Sequence, residues 1–395
     1  MVGLGVLGSL PASAVVGDTV ADGQRGYVVR VEIGDTDRAC SGALIEKSWI
    51  VTAASCFVDN PAQYASLAPG EPALPAQAVV GRTNLTTRDG QVRDIVKLVP
   101  RQDRDLVLAK LSAPVQGIAT VRLSAEAPTT GERLQIAGYG RTADEWAPVS
   151  LHTGAFAVTG ATGPDLHVEG QAGATICKGD SGGPAVRSGS GGDLLLGVSS
   201  RSAEGGCFGS ETTSRAAVAT RVDDITTWIG TQVARWSLKS LSNDKYVSVA
   251  INVTGQDAAM LRARSDTKYT WEQFTLHTRD AGASVSFKSE ANGLFVAPEI
   301  ARTGNQEGML RARSEAAFGW ERFTLVPQAQ AGVYALKSVQ SGKFVAVEGA
   351  FTGAYEGLLR ARSDRAAGSW ERFTLEHADN FEVAGVEPVG PTPLP

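Results

Sequence analysis

Short stretches of alternating apolar and polar residues recur in the second half of the chain, separated by clusters of glycine, asparagine and aspartate. KYVSV at residues 245–249 and KFVAV at residues 343–347 are two examples. Alternation with a period of two predicts strands with one buried face, and the clusters between them predict turns. The 45 glycines and 17 prolines extend the preference for turns and short strands to the whole chain. The pattern therefore predicts an all-β protein.

Composition and charge narrow the class of protein further. At about 150 residues per domain, 395 residues predict two or three domains. The net charge is −5 with both signs mixed, which argues against a nucleic-acid partner. No apolar run reaches the ~20 residues that a membrane span requires, so no membrane contact is expected. The four cysteines have no spacing typical of zinc ligands and no phosphate-binding glycine loop stands out, so we expect no metal or cofactor.

Three short sequence motifs recur at nearly equal spacing through the second half of the chain. LRARS occurs at residues 261–265, 310–314 and 359–363, WExFTL follows at 271–276, 320–325 and 370–375, and LKS or FKS precedes both. This is a threefold internal repeat of about 49 residues. Propellers normally need four or more blades, so three units predict a threefold barrel filled by Phe274, Phe323 and Phe373. Over residues 234–377 the repeated pattern resembles fascin-like β-trefoil domains.

The repeated arginines Arg262, Arg311 and Arg360 leave two interpretations open. They form one binding pocket per repeat, or they pair with the Trp-Glu of the same repeat and hold the strands in register. Identical residues in all three repeats favour the second interpretation, because binding residues usually diverge. The resemblance implies a binding module for a carbohydrate or another polymer.

Five segments of the first half carry the pattern of one enzyme family. They are GDSGGP at 179–184, CSGALI at 40–45 followed by WIVTAASC at 49–56, DLVLAKL at 105–111, VVG at 15–17, and an expected closing helix at 222–229. Across residues 15–230 they resemble trypsin-like serine proteases. The resemblance implies two six-stranded antiparallel β-barrels, and hence an all-β chain in which a double barrel precedes a threefold-repeat trefoil.

The resemblance also assigns roles to individual residues. It implies Ser181 as nucleophile, Asp105 as the buried aspartate, and an oxyanion hole formed by the N–H groups of Gly179 and Ser181. It implies that Asp180 pairs with the terminal ammonium of Val15 after cleavage behind Ala14. The remaining implied assignments are a specificity pocket of Thr175, Ser200 and Ser202, and the disulfides Cys40–Cys56 and Cys177–Cys207. Thr175 is neutral, which argues against a preference for Lys or Arg.

Ser55 departs from the family's pattern, because the family places its catalytic histidine immediately before this cysteine. A serine hydroxyl cannot act as a base near neutral pH, so Ser181 is predicted to be a poor nucleophile. The chain has only four histidines. We expect none of them to replace the missing base, since they lie in the second half or on segments that the family places away from the cleft: His152, His167, His277 and His377.

The domain prediction is a signal-peptide remnant over 1–14, a protease-like domain over 15–230, the trefoil over 234–377 and a Pro-rich tail over 378–395. Small apolar residues ending in Ala-Ser-Ala and paired cysteines predict a secreted protein, expected to be a monomer. Three hypotheses remain for its function. It is a protease homologue that binds a peptide or protein without cleaving it, an active serine endopeptidase targeted by the trefoil, or a trefoil-centred protein with a scaffold domain.

Overall fold

The computed structural model describes residues 18–34, 38–279, 283–330, 332–377 and 383–384. They divide into two compact units, the first running to Thr227 and including Val383–Ala384, the second beginning at Trp228. The expected leader over 1–14, Val15 and the proline-rich residues 386–395 lie outside the described residues. No helix in the described ranges is long and apolar enough to span a membrane.

The first unit begins with a closed six-stranded antiparallel barrel. Alternation is visible in its first strand, where Val29, Val31 and Ile33 are buried while Arg30 and Glu32 are partly exposed. Neighbouring strands follow the order β2-β3-β4-β7-β6-β5. After a two-residue strand β1 at Asp18–Thr19, the barrel strands are β2 Val28–Ile33, β3 Arg38–Glu46, β4 Trp49–Thr52, β5 Ala76–Val80, β6 Gln91–Arg101 and β7 Leu106–Leu111.

A second antiparallel barrel completes the first unit. Its six strands close in the order β12-β9-β10-β11-β14-β13, because β12 also pairs with β13. Phe156, Leu134 and Leu166 are fully buried in its core. The strands of this half are β8 Arg122–Ser124, β9 Arg133–Gly138, β10 His152–Thr162, β11 Asp165–Gly170, β12 Pro184–Gly189, β13 Gly192–Ser202 and β14 Ala216–Arg221. Helical segments are short: 3₁₀ turns at Ala54–Phe57, Pro61–Ser66 and Asp223–Ile225, and helix α1 at Thr226–Val233.

The second unit is a twelve-stranded antiparallel sheet. Each repeat supplies four strands, and we call the repeats lobe 1 (235–279), lobe 2 (284–327) and lobe 3 (333–377). Phe274, Phe323 and Phe373 are fully buried, as expected. The strands are β15 Arg235–Ser240, β16 Tyr246–Val249, β17 Leu261–Ser265, β18 Phe274–Arg279, β19 Ser284–Ser289, β20 Phe295–Glu299, β21 Met309–Ser314, β22 Phe323–Pro327, β23 Val333–Ser338, β24 Phe344–Val347, β25 Leu359–Ser363 and β26 Phe373–His377.

The all-β fold class is confirmed: two closed six-stranded barrels precede a further β-rich unit. One detail differs from the sequence prediction. Within the segment 378–395, expected to be a Pro-rich tail, Val383–Ala384 forms strand β27 and pairs in parallel with β8. Strand β8 pairs with β13 on one side only. The backbone groups of its other edge are therefore available to pair with β27.

Candidate functional site

Asp105 lies immediately before β7, and both oxygens of its carboxylate accept hydrogen bonds from serines. Oδ1 accepts the backbone N–H of Ser55 at 2.7 Å. Oδ2 accepts the hydroxyls of Ser55 at 2.9 Å and Ser200 at 2.7 Å. Ser55 reaches it from the 3₁₀ turn after β4, since β4 pairs directly with β7. The carboxylate is buried, and within the described residues its three hydrogen bonds come from Ser55 and Ser200 and not from an imidazole.

The hydroxyl of Ser181 donates to the backbone carbonyl of Ser200 at 3.3 Å. A peptide carbonyl is far too weak a base to remove the proton of an attacking hydroxyl. Within the described residues, no histidine forms a hydrogen bond with either Ser181 or Asp105. Ser181 is thus close to the Asp105 cluster, through Ser200, but has no base beside it.

The four histidines have other surroundings. His152 begins β10 and is buried, which lowers its pKa, with Glu145 opposing the effect. His167 lies in the middle of β11. In the second unit, the His377 ring stacks on Trp236 with 4.0 Å between ring centroids, and His277 packs against Phe295.

Two backbone amides next to Ser181 remain open. The N–H groups of Gly179 and Ser181 have no acceptor in the described part of the chain. Gly179 has φ +100°, and a Cβ there would lie 2.8 Å from the Cα of Gly140, so the turn needs glycine. The Gly179 carbonyl accepts the hydroxyl of Ser41 at 2.9 Å, which fixes this peptide. Fixed, unoccupied N–H donors beside a serine are the arrangement that stabilises an oxyanion.

Asp180, between those two amides, is buried. Its carboxylate accepts the N–H groups of Gly140 at 2.8 Å and Cys177 at 2.9 Å. Burial raises the pKa of Asp180 to about 7, although the two backbone hydrogen bonds oppose that rise. Its expected partner, the ammonium of Val15, lies outside the described residues.

The three residues expected to form a specificity pocket do not share one role. Thr175 is completely buried, and its hydroxyl has no partner in the described part of the chain. The Ser202 hydroxyl donates to the carbonyl of Ile176 at 2.6 Å and so connects β13 to the segment before Ser181. The Ser200 hydroxyl donates to Oδ2 of Asp105 at 2.7 Å.

Arg201 lies in β13 at a register shift in its pairing with β14, between Ser199 and Arg201. Its guanidinium pairs with Asp165 at 2.5 Å. It lines a shallow groove of ≈440 Å³ together with His167 and Glu169. Arg201 therefore contributes charge to this groove.

Both expected disulfides are present, Cys40–Cys56 and Cys177–Cys207. The first ties β3 to the turn that carries Ser55, and the second ties the segment before Ser181 to the loop after β13. Sequence reasoning missed Ser41, although it lies within the CSGALI motif. Its hydroxyl also accepts the N–H of Tyr139 at 2.9 Å, so it connects both barrels to the Gly179 turn.

In the second unit, the repeated arginines connect neighbouring lobes. Arg311 donates to the Ala258 carbonyl of lobe 1 and Arg360 to the Glu307 carbonyl of lobe 2, both at 2.7 Å. Arg262 donates to the Ala354 carbonyl of lobe 3 at 2.7 Å. The expected pairing of each arginine with the Trp-Glu of its own repeat is wrong. Those glutamates accept the backbone N–H three residues earlier, in the pairs Glu272 with Tyr269, Glu321 with Phe318, and Glu371 with Gly368.

Two closed antiparallel barrels, a serine flanked by open amide donors and a nearby buried aspartate define the class of the first unit as a serine-protease fold. The family model described as Trypsin matches residues 14–229, more than half of the chain. The chain therefore belongs to the trypsin family.

Individual relatives are similar to the same part of the chain. Trypsin of Sus scrofa is 26% identical over 233 residues, which is 52% of this chain and 90% of that protein. Trypsin-3 of Salmo salar is 25% identical over 221 residues, 49% of this chain and 83% of that protein. Serine protease VLSP-3 of Macrovipera lebetinus is 26% identical over 181 residues, 39% of this chain. The chain spans just under two thirds of the length of VLSP-3 and of snake venom serine protease Haly-2 of Gloydius brevicauda, 65% and 63% respectively.

Proposed function

We propose that this is a secreted, monomeric trypsin-family protein that binds a peptide or protein segment in its cleft without efficient cleavage, and whose second unit is a β-trefoil that binds a polysaccharide. In this proposal Ser55 stands where the family has its catalytic histidine. The observation that carries it is an Asp105 carboxylate hydrogen-bonded by Ser55 and Ser200, together with a Ser181 hydroxyl whose one partner in the described residues is a peptide carbonyl.

Loss of the base has a known order of magnitude in serine proteases. Turnover falls by about 10⁶, and a residual acceleration of ~10³–10⁴ over water remains from the oxyanion hole and substrate binding. The open N–H groups of Gly179 and Ser181 are the donors that such residual catalysis uses. Peptide binding through backbone groups is therefore compatible with very slow cleavage.

The specificity residues support a ligand without a basic anchor. Thr175 carries no charge and is closed off from solvent, and the Ser202 hydroxyl bridges to the Ile176 carbonyl. A Lys or Arg side chain of a ligand would lack a carboxylate at this position. The bound segment is therefore expected to carry a neutral side chain instead.

Three features support the remaining parts of the proposal. The two disulfides favour an oxidising, extracellular compartment. The lobes have matching strand registers and exchange arginine contacts, as expected for a threefold trefoil. Three equivalent tryptophans stay 40–44% exposed and offer aromatic faces to sugar rings: Trp271, Trp320 and Trp370.

The experiment compares the native chain with a Ser55→His variant and a Ser181→Ala control. Each is treated with a fluorophosphonate probe and a mixed peptide library. The proposal expects library peptides to bind the native chain without turnover, and Ser55→His to gain labelling at Ser181. Rapid labelling and cleavage by the native chain would overturn it. A separate pull-down of the intact protein on insoluble polysaccharides tests the binding proposed for its second unit.

The second candidate function is an active serine endopeptidase that the trefoil targets to a polymer. The observation that favours it is the unoccupied donor pair of Gly179 and Ser181, which a decayed site has no need to keep open. A ligand-supplied base would then complete the site. This candidate predicts rapid turnover only for peptides that carry histidine, whereas the first predicts rapid turnover of no peptide.

A further inference from the structure

The two arginines of each LRARS strand are neutralised in lobes 2 and 3 by one glutamate of the adjacent strand. In lobe 2, Glu299 pairs with Arg311 at 3.1 Å and Arg313 at 2.6 Å. In lobe 3, Glu348 pairs with Arg360 at 3.5 Å and also with Arg362. The strand register places the two glutamates equivalently. Glu299 follows Pro298, which lies opposite Leu310, and Glu348 follows Val347, which lies opposite Leu359.

Lobe 1 keeps both arginines but has lost the glutamate. Ser248 lies opposite Arg262 exactly as Ala297 lies opposite Arg311 and Ala346 opposite Arg360. Two residues further on, the other lobes have Glu299 and Glu348, whereas lobe 1 has Ala250. Lobe 1 therefore supplies no carboxylate at the position that neutralises the corresponding arginines of lobes 2 and 3.

The side-chain hydrogen bonds of Arg262 also differ from those of Arg311 and Arg360. Arg262 is 6% exposed, and among the described residues its side chain has one hydrogen bond, from Nη1 to the Ala354 carbonyl. Its buried Nε has no partner in the described part of the chain, whereas Nε of Arg311 and of Arg360 each donates to a carbonyl. Burying an unpaired charged donor is unfavourable, so an added acceptor is stabilising here.

Arg264 adds a second free cation. It is exposed, and it forms no ion pair or hydrogen bond in the described residues. Burial of Arg262 lowers the pKa of its guanidinium, and the positive charge of Arg264 lowers that pKa further. Glu356 acts in the opposite direction without pairing with either arginine. Two guanidinium groups with donors to spare are suited to bidentate binding of a carboxylate.

We propose that Arg262 and Arg264 of lobe 1 bind the carboxylate of an acidic sugar, which takes the part that a glutamate plays for the corresponding arginines of the other two lobes. The inference rests on the proposed polysaccharide binding of the second unit and narrows it to uronic-acid polymers. A sugar is favoured over an acidic peptide because Tyr269 and Trp271, 72% and 40% exposed, follow β17 in the same lobe and offer flat aromatic faces. One site per chain is expected, since lobes 2 and 3 carry their own carboxylates.

The test uses calorimetry on the full chain with a trimer of galacturonic acid, its methyl ester and a tri-glutamate peptide as probes. We expect one trimer per chain, with binding at least about tenfold weaker for the uncharged ester, because charge-assisted hydrogen bonds are lost. Ala250→Glu supplies the internal carboxylate and is expected to weaken binding at least about tenfold, while both arginines stay in place. Arg264→Gln is expected to do the same.

Two further variants control for nonspecific effects. Arg313→Gln removes another exposed arginine, whose partner is Glu299, and it is expected to leave the affinity unchanged. Glu348→Ala frees Arg360 and Arg362, and it is expected to create a second site of similar affinity.

The possible results separate the inference from the function on which it rests. Equal affinity for the acid and the ester, or no effect of Ala250→Glu, overturns the carboxylate site but leaves polysaccharide binding standing. Binding of tri-glutamate alone, sensitive to Ala250→Glu, overturns the sugar assignment. Failure of all three probes, together with failure of neutral polysaccharides in the pull-down, overturns both proposals.

Discussion

Asp180 gives a prediction about stability and pH that can be worked out in advance. Burial raises its pKa from 3.8 to about 7. Between these two pKa values the native chain holds a proton that the unfolded chain has released. The free energy of unfolding therefore falls as the pH rises from about 4 to about 7. About three pH units at 1.4 kcal/mol each make the change on the order of 4 kcal/mol.

The perturbation is Asp180→Asn, which has no proton to release. The variant loses an acceptor for Gly140 or Cys177, a constant cost of about 1–3 kcal/mol. Urea unfolding of both full chains is measured from pH 4 to pH 8, and the difference between them is plotted, so that all other titrating groups cancel. We expect the native chain to lose its advantage over the variant as pH rises.

A chain cut behind Ala14 provides the second arm. If the Val15 ammonium pairs with Asp180 as proposed, the folded pKa falls below 3.8. The native advantage over Asp180→Asn then grows with pH instead of shrinking. A pH-independent difference in the uncut chain would refute the reasoning from burial.

Two further predictions concern stability within each unit. Replacing Cys177 and Cys207 with alanine opens a disulfide that spans 30 residues, so the free energy of unfolding of the first unit should fall by about 3–4 kcal/mol; a loss below about 1 kcal/mol in urea titrations would contradict this. Arg360→Met should cost the second unit about 2–4 kcal/mol, because it leaves interlobe carbonyls and Glu348 short of a partner. Arg362→Met, at a 48% exposed side chain, should cost less than about 1 kcal/mol, and equal costs would argue against an interlobe role.

Much of the fold could be predicted because short sequence motifs and an internal repeat indicate it. GDSGGP, CSGALI and the LRARS repeats fix short segments whose geometry depends on nearby residues, such as the φ +100° turn at Gly179. The contacts between lobes could not be predicted in this way. Arg311 reaches Ala258 across 53 positions of sequence, and only closure of the three repeats brings the two together.

The residues of the site show the same limit. The departure at Ser55 is visible from one motif. The hydrogen bonds that Asp105 accepts from Ser55 and Ser200 join residues 50 and 95 positions apart in the sequence. The absence of a lobe 1 glutamate was visible in the repeat alignment, as Ala250 against Glu299 and Glu348. Its consequence became clear only once the register placed the glutamates beside both arginines.

The central claim is that Ser181 has no base, and the second-order rate of fluorophosphonate labelling tests it most directly. The native chain is expected to label at the background rate of Ser181→Ala. Ser55→His is expected to label at least about 10²-fold faster, the usual contribution of a positioned general base. Native labelling as fast as that of Ser55→His, and lost in Ser181→Ala, would contradict the account.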